Sequence, residues 1–375
     1  MHGESGRLSR GPLIRVAIAC CGLEHVRRGF ESVSRELFTA LSSQTDVILF
    51  KGSGKKGLNE IVVPCLRRDF LERFMNSRRA FYWEQITFAV ALLPFLIFKR
   101  IDIVHYSEGN VGNALARFLR WTGSRTRLLQ CNGGPLDPGA FRPEVFIQQV
   151  CKAGMDQALE FGISPARMHL IPHGIAAEKF RETEDRKKLR ARFGLPQDKF
   201  LILSLAALNK EHKRLDYLIK EVAALHDPSV FLCMAGEPTS ETDELRALAA
   251  GLLPGRHTFL TVSRDKVPQL LAAADIFVLT SLYEGFGMVL IEACSAGVPV
   301  ICHNSAHFRW VLEDAALYAD MATVGALTSR MQEAKENEEM LRRCRALGMA
   351  RAENVYSWKV LVPRYMEMYR SIHSA

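Results

Sequence analysis

The amino-acid sequence predicts an α/β protein built from two doubly wound, parallel-sheet units. Three observations carry this. Short, almost continuously apolar runs recur along the chain, among them "FLILSLAAL" (200–208) and "IFVLTS" (276–281); a strand apolar on both faces belongs to a sheet covered on both sides. Helical segments such as "RLDYLIKEVAALH" (214–226) and "DELRALAAGLL" (243–253) separate those runs, which is the rhythm of parallel strand–helix–strand crossovers. The 375 residues also exceed what one core normally holds, about 250–300. The rhythm breaks in the charged stretch "PHGIAAEKFRETEDRKKLRARFGLPQD" (172–198), the expected domain boundary.

The expected strands of the first half are "LIRVAIAC" (13–20), "DVILF" (46–50), "DIVHY" (102–106) and "RLLQC" (127–131). The polar start leading into 13–20 reads as the approach to a buried strand, not as a secretory signal. The longest uncharged apolar run, "ITFAVALLPFLIF" (86–98), has 13 residues and a proline. Spanning a membrane takes about 17–25 residues, so this run reads as a buried helix. The second half adds 200–208, "VFLCMAG" (230–236), "TFLTV" (258–262), 276–281 and "PVIC" (299–302).

Charge divides unevenly. Residues 1–180 hold 24 Lys and Arg against 16 Asp and Glu, while 181–375 hold 25 of each, so the whole net charge of +8 lies in the first half. The pairs Arg27/Arg28, Lys55/Lys56, Arg67/Arg68 and Arg78/Arg79 supply much of it. Such a half is either a solvated basic surface or a docking face for an anionic partner, such as a lipid surface or a phosphorylated acceptor. Nucleic acid is disfavoured because no binding motif accompanies the charge. Nine cysteines, an odd number without any C-x-x-C pair, include Cys20, Cys233 and Cys294 inside apolar runs. They fit a reducing, cytoplasmic setting and argue against a disulfide scaffold or a zinc ribbon.

The chemistry concentrates in "SLYEGFGMVLIEACSAGVPVI" (281–301). A strand ends near Ser281, a Gly285-Phe286-Gly287 turn follows, and a helix starts near Met288. Glycines let backbone approach a ligand closely, and a helix start offers unpaired N–H groups and a positive dipole end to an anion. Glu292 sits about one turn into that helix with no polar face around it. A buried carboxylate needs a partner. Either the hydroxyls of a bound ribose or an Arg or Lys from another element would serve.

Glu284 and Glu292, E-x7-E after a strand, resemble the donor-site signature of the retaining GT-B glycosyltransferases of family 4. Four further segments are similar to that family in the same order: "HVRRGFESVSRELFTAL" (25–41), "MHLIPHGIAAEKF" (168–180), "LSLAALNKEHKRLDYLIKEV" (203–222) and "YSWKVLVPRYMEMYRSI" (356–372). The resemblance covers nearly the whole chain. It implies a GT-B fold with domains at 1–175 (acceptor side) and 176–357 (nucleotide-sugar side), facing across a cleft, and a helix at 358–375 crossing back onto the first domain. It implies that Glu292 holds ribose hydroxyls and that Glu284 lies near the sugar's anomeric carbon. Gly285, Phe286, Gly287, Met288 and Val289 would meet sugar and phosphate oxygens. Lys213 would neutralise the departing diphosphate with Arg214 beside it. Gly29 would belong to the loop over the donor, and His105 to an acceptor-side motif.

Three positions depart from the family pattern. Ala207 stands where an arginine is usual, and Ser107 and Asn132 where histidines are common. Lys210, His212 and Arg214 are the nearby cations that could replace the arginine's charge. His105 reads equally as a strand-end histidine with a backbone hydrogen bond.

The expected function is transfer of a hexose-type unit from a nucleotide diphosphate sugar to an acceptor hydroxyl on a glycan or glycolipid. The co-substrate would be the sugar nucleotide, with no resident cofactor and no metal, since no Asp-x-Asp motif follows a strand. Peripheral association with the inner face of an anionic membrane is the partner the charge suggests. The rivals are a nucleotide-sugar hydrolase or epimerase on the same fold, and a nucleotide-sugar-binding protein without transfer activity. A dinucleotide dehydrogenase is disfavoured, because "CCGLEHVRRGF" after the first strand lacks G-x-G-x-x-G.

Overall fold

The computed structural model describes residues 14–26, 29–134, 141–182 and 184–375. Arg27, Arg28 and residues 135–138 of the "QCNGGPLDP" loop lie outside them. The chain forms two compact units. One runs to Val150, takes in Gly154–Ile171 and ends with Val362–Ala375; the other holds Cys151–Ala153 and Pro172–Leu361.

The first unit is a seven-stranded sheet, parallel at every pairing. Its strands are β1 (Arg15–Cys20), β2 (Asp46–Lys51), β3 (Glu60–Val62), β4 (Ile103–Tyr106), β5 (Arg127–Asn132), β6 (Phe146–Gln149) and β7 (Met168–Leu170), in spatial order β3-β2-β1-β4-β5-β6-β7. Residues 16–20 of β1 and all of β4 are buried, as expected of strands covered on both faces. The second unit is a six-stranded parallel sheet of β8 (Phe200–Leu205), β9 (Val230–Ala235), β10 (His257–Leu260), β11 (Ile276–Leu279), β12 (Val300–His303) and β13 (Ala316–Ala319), ordered β10-β9-β8-β11-β12-β13. The order reverses between β1 and β4 in one sheet and between β8 and β11 in the other. These are the switch points at which doubly wound sheets receive ligands.

Four further strands, β3, β6, β7 and β13, lie outside the runs expected from the sequence. β6 reads "FIQQ", yet both glutamines are fully buried. Gln148 accounts for one of them: its Nε2 donates to the Ile171 carbonyl at 2.7 Å and to the Tyr365 hydroxyl at 2.8 Å. Tyr365 and Tyr369 belong to the last helix, Trp358–Ser374, and are buried within the first unit's residues.

The apolar run at 86–98 is only partly the buried helix expected. It is the end of a 22-residue helix, Ser77–Phe98. Phe88, Leu92 and Leu96 enter the core, while Val90, Ile97 and Phe98 are exposed. All nine cysteines are free.

Candidate active site

The site is built on two loops leaving the carboxyl ends of β8 and β11. After β8, Asn209 shapes the turn: its Oδ1 accepts the backbone N–H groups of Lys213 (2.8 Å) and His212 (3.3 Å). From the other loop, the Thr280 hydroxyl donates to the Lys213 carbonyl at 2.6 Å. Arg214 takes a left-handed conformation, φ 52°, immediately before the Leu215–Ala223 helix. With its backbone fixed from both loops, Lys213 donates from Nζ to Glu284 Oε1 at 2.6 Å, both side chains being largely buried.

His212 lies alongside. Its Nε2 donates to the Tyr283 carbonyl at 3.1 Å and stands 4.0 Å from Glu284 Oε1. Of the three side chains considered for the place of the usual arginine, His212 alone is near Glu284. Lys210 is drawn to Glu244 and Glu241. The Arg214 guanidinium donates to the Met321 carbonyl at 2.8 Å and lies 4.5 Å over the Tyr217 ring.

The Gly285-Phe286-Gly287 turn is anchored by its aromatic residue. Phe286 is buried and meets the rings of His173 (5.7 Å) and Tyr356 (5.5 Å) edge-on. Its carbonyl accepts from His307 Nε2 at 3.3 Å. Burial holds His307 below the usual histidine range and pushes His173 down to about 4, so both imidazoles are neutral near pH 7. Gly287, at φ 88°, starts the Met288–Ser295 helix; a Cβ here would meet Leu290 Cδ1 at 3.0 Å. The left-handed backbone angle favours glycine here, and an added Cβ would also press on the tip of the Leu290 side chain.

Glu292 is 3% exposed and has a protein partner. Arg264, in the short turn Arg264–Lys266 beyond β10, grips both its carboxylate oxygens, Nη1 to Oε2 at 2.8 Å and Nη2 to Oε1. Of the two partners left open by the sequence, the structure contains the arginine. The pair is bidentate, the stronger form of such contacts. Its two members differ in environment, because the Arg264 side chain is 48% exposed.

His105 and Gly29 belong to the first unit and the other candidates to the second. His105 Nδ1 is hydrogen-bonded to the Tyr369 hydroxyl at 2.9 Å, and its ring packs against Tyr365 and Tyr369. Gly29 begins the Gly29–Leu41 helix, where an added Cβ would meet nothing within 4 Å. The two departures in this unit are tied into the sheet: the Ser107 hydroxyl donates to the Cys131 carbonyl at 3.1 Å, and Asn132 Nδ2 to Gln149 Oε1 at 2.9 Å.

Sequence reasoning named neither Arg264, Asn209, His173 nor His307. Only Arg264 left a signal, through the partner that a buried Glu292 must have.

Residues 185–350 match the family described as "Glycosyl transferases group 1". Over 220 residues the chain is 27% identical to the MMP alpha-(1->4)-mannosyltransferase of Mycolicibacterium hassiacum, covering 57% of this chain and 51% of that protein. The chain thus spans about half the length of the curated relatives it matches. Sucrose-phosphate synthase from Thermosynechococcus elongatus has a similar structure, with a TM-score of 0.80, 17% identity, and 96% and 99% of the two chains covered. Anabaena Alr3699/HepE, solved in complex with UDP and glucose, gives 0.76, 16%, 96% and 100%. The family match thus falls within the second unit, at residues 185–350, and the two-sheet architecture of the chain is the GT-B fold.

Proposed function

We propose that this protein is a retaining glycosyltransferase that moves a hexose-type unit from a nucleotide diphosphate sugar to an acceptor hydroxyl on a glycan or glycolipid. One observation carries the reading. At the β8/β11 switch point, Lys213 Nζ is held 2.6 Å from Glu284 Oε1, in the loop that leads into the Met288–Ser295 helix. An ammonium and a helix N-terminus near one another form a receptor for a diphosphate. The bond from the anomeric carbon to the phosphate oxygen breaks in the reaction, so negative charge grows on the leaving group while the sugar becomes cation-like. Lys213 and the helix N–H groups neutralise the first, and the Glu284 carboxylate lies on the side of the second. Glu292 receives the ribose hydroxyls in this reading, with Arg264 holding the carboxylate in place until the donor arrives.

The sugar nucleotide acts as co-substrate and no resident cofactor takes part. The UDP and glucose bound by HepE and the mannosyl transfer in the Mycolicibacterium relative's name support the donor and sugar class. The setting is the cytoplasmic side of an anionic membrane, supported by a basic first half and nine free cysteines.

The test has two stages. A thermal-shift panel of nucleotide diphosphate sugars identifies the donor, since a ligand that binds only the native state raises its apparent stability. Turnover with that donor and candidate acceptors should then give a product heavier by one sugar. Free sugar alone would assign a hydrolase, an altered donor an epimerase, and binding without turnover a sugar-nucleotide receptor.

A further inference from the structure

A surface helix normally turns polar residues outward. The Ser77–Phe98 helix does not. Between Glu84 and Lys99 it carries no charged residue, and Glu84 itself is fully buried, bonded to His25 and to Arg68. One face packs into the core through Ala80, Phe88, Leu92 and Leu96. The opposite face presents Trp83, Val90, Pro94, Ile97 and Phe98 to solvent. Steps of three or four residues along 83, 86, 90, 94 and 97 put these positions on one stripe. The stripe is apolar on the side where water should be.

The surroundings extend the pattern. Among the described residues, eight of the seventeen exposed large apolar side chains fall between 66 and 98. A ninth, Trp121 on the neighbouring Gly109–Thr122 helix, is 82% exposed and packs on Phe118. Beside the stripe lies a groove of 480 Å³ with Tyr82, Ile86, Phe118 and Trp121 as apolar walls and Arg117 and Arg142 as its cations. Arg78 and Arg79 stand exposed at one end of the helix, Lys99 and Arg100 at the other. None of these four is ion-paired to an acid among the described residues.

An isolated apolar patch could suit many partners, but this one is bounded by unpaired cations and aromatic rings. Exposed apolar side chains, Trp and Tyr at mid-depth, and Arg or Lys at the edges are the composition of a helix lying in the headgroup region of a bilayer. Length argues the same way: 22 residues extend about 33 Å along the surface. The helix is long and apolar enough to cross a membrane. Its buried face, however, belongs to the sheet's core, so it lies along a membrane instead of through it.

We infer that the outward face of the Ser77–Phe98 helix docks on an anionic lipid surface, its apolar stripe in the acyl boundary and its terminal cations among the headgroups. This names the surface for the membrane setting proposed above. Its readout needs no turnover, so it stands or falls separately from the transfer reading.

Vesicle co-sedimentation of the full chain tests it, with purely phosphatidylcholine vesicles against vesicles containing phosphatidylglycerol, at low and high salt. Binding to the anionic vesicles should weaken as salt rises but keep a salt-resistant part from the stripe. The triple variant Trp83→Glu, Val90→Glu and Ile97→Glu should lose at least tenfold in partitioning. The double variant Arg78→Glu and Arg79→Glu, at exposed positions, provides a second reading away from the buried face. It should lose at least tenfold at low salt with an unchanged Tm. No binding at low salt, equal binding to both vesicle types, or full binding by the double variant would overturn the assignment. So would a wild-type dimer that the triple variant converts to monomer without any vesicle binding, which would give the face to a second copy of the chain.

Discussion

At the scale of single residues, the two charge pairs of the site call for different experiments. Ala207 is exposed and leaves the usual arginine's charge unsupplied, so under the proposed reading the cationic role falls to Lys213. Its attraction strengthens as charge builds on the leaving phosphate, so it acts on turnover more than on donor affinity. Lys213→Ala should lower kcat by about 10²–10³. Ala207→Arg should restore part of that, because the exposed position has room for the longer side chain. Near-normal turnover in Lys213→Ala would move the phosphate clamp to another cation. The Arg264–Glu292 pair is asymmetric in exposure, and its two halves should respond unequally. Glu292→Gln leaves a half-solvated arginine and should cost only about 1 kcal/mol of stability, while weakening donor binding at least tenfold. Arg264→Ala strands a buried carboxylate and should cost about 1–3 kcal/mol. Ribose hydroxyls would re-satisfy that carboxylate, so the donor's thermal shift should be larger in Arg264→Ala than in wild type. Unchanged donor affinity in Glu292→Gln would remove the ribose assignment.

At the scale of elements, the loop-to-helix transition at Gly287 sets where the proposed donor site begins. Its φ of 88° and the 3.0 Å approach of Leu290 to an added Cβ make Gly287→Ala a change in both backbone and packing. A cost of about 1–3 kcal/mol in urea-melt stability is expected, with loss of donor binding because the helix start is displaced. A variant as stable as wild type would show that the turn tolerates a side chain. This transition was legible from the sequence, since a strand-length apolar run, two glycines and a second apolar run leave little choice. Among the strands that escaped notice, the clearest case is one that no apolar run marks. β6 buries two glutamines, and the hydroxyl that satisfies Gln148 comes from Tyr365, 217 residues later. The Ser77–Phe98 helix was misjudged for the opposite reason: composition alone marks it as apolar and cannot tell which face the core takes. Arg264 illustrates the same limit at long range. The need for a partner to Glu292 could be read from the helix, but nothing in the spacing pointed to a residue 28 positions earlier.

For the whole molecule, two buried titrating groups give the units opposite responses to pH. In the first unit Glu108 stands before the Gly109–Thr122 helix and accepts the Cys21 N–H at 2.9 Å. Burial, with the Glu31 carboxylate adding to it, pushes its pKa up to about 7. Folding therefore binds a proton in the window between the ordinary value of 4.5 and about 7. The stabilisation is complete below 4.5 and is lost as pH rises through 7, by about 3 kcal/mol in all. In the second unit, burial lowers His173 from 6.5 to about 4. Here it is the unfolded chain that binds the extra proton, so stability is full above 6.5 and falls as pH drops toward 4, again by about 3 kcal/mol. Glu108 belongs to one unit and His173 to the other, so the two terms act on separate cores. Calorimetry between pH 4.5 and 6.5 should then distinguish the variants by direction. Glu108→Gln keeps an acceptor for the Cys21 N–H but cannot titrate, and relative to wild type it should gain stability as pH rises. His173→Gln should gain relative to wild type as pH falls. If both differences run the same way, or neither depends on pH, the two groups do not titrate as their burial requires.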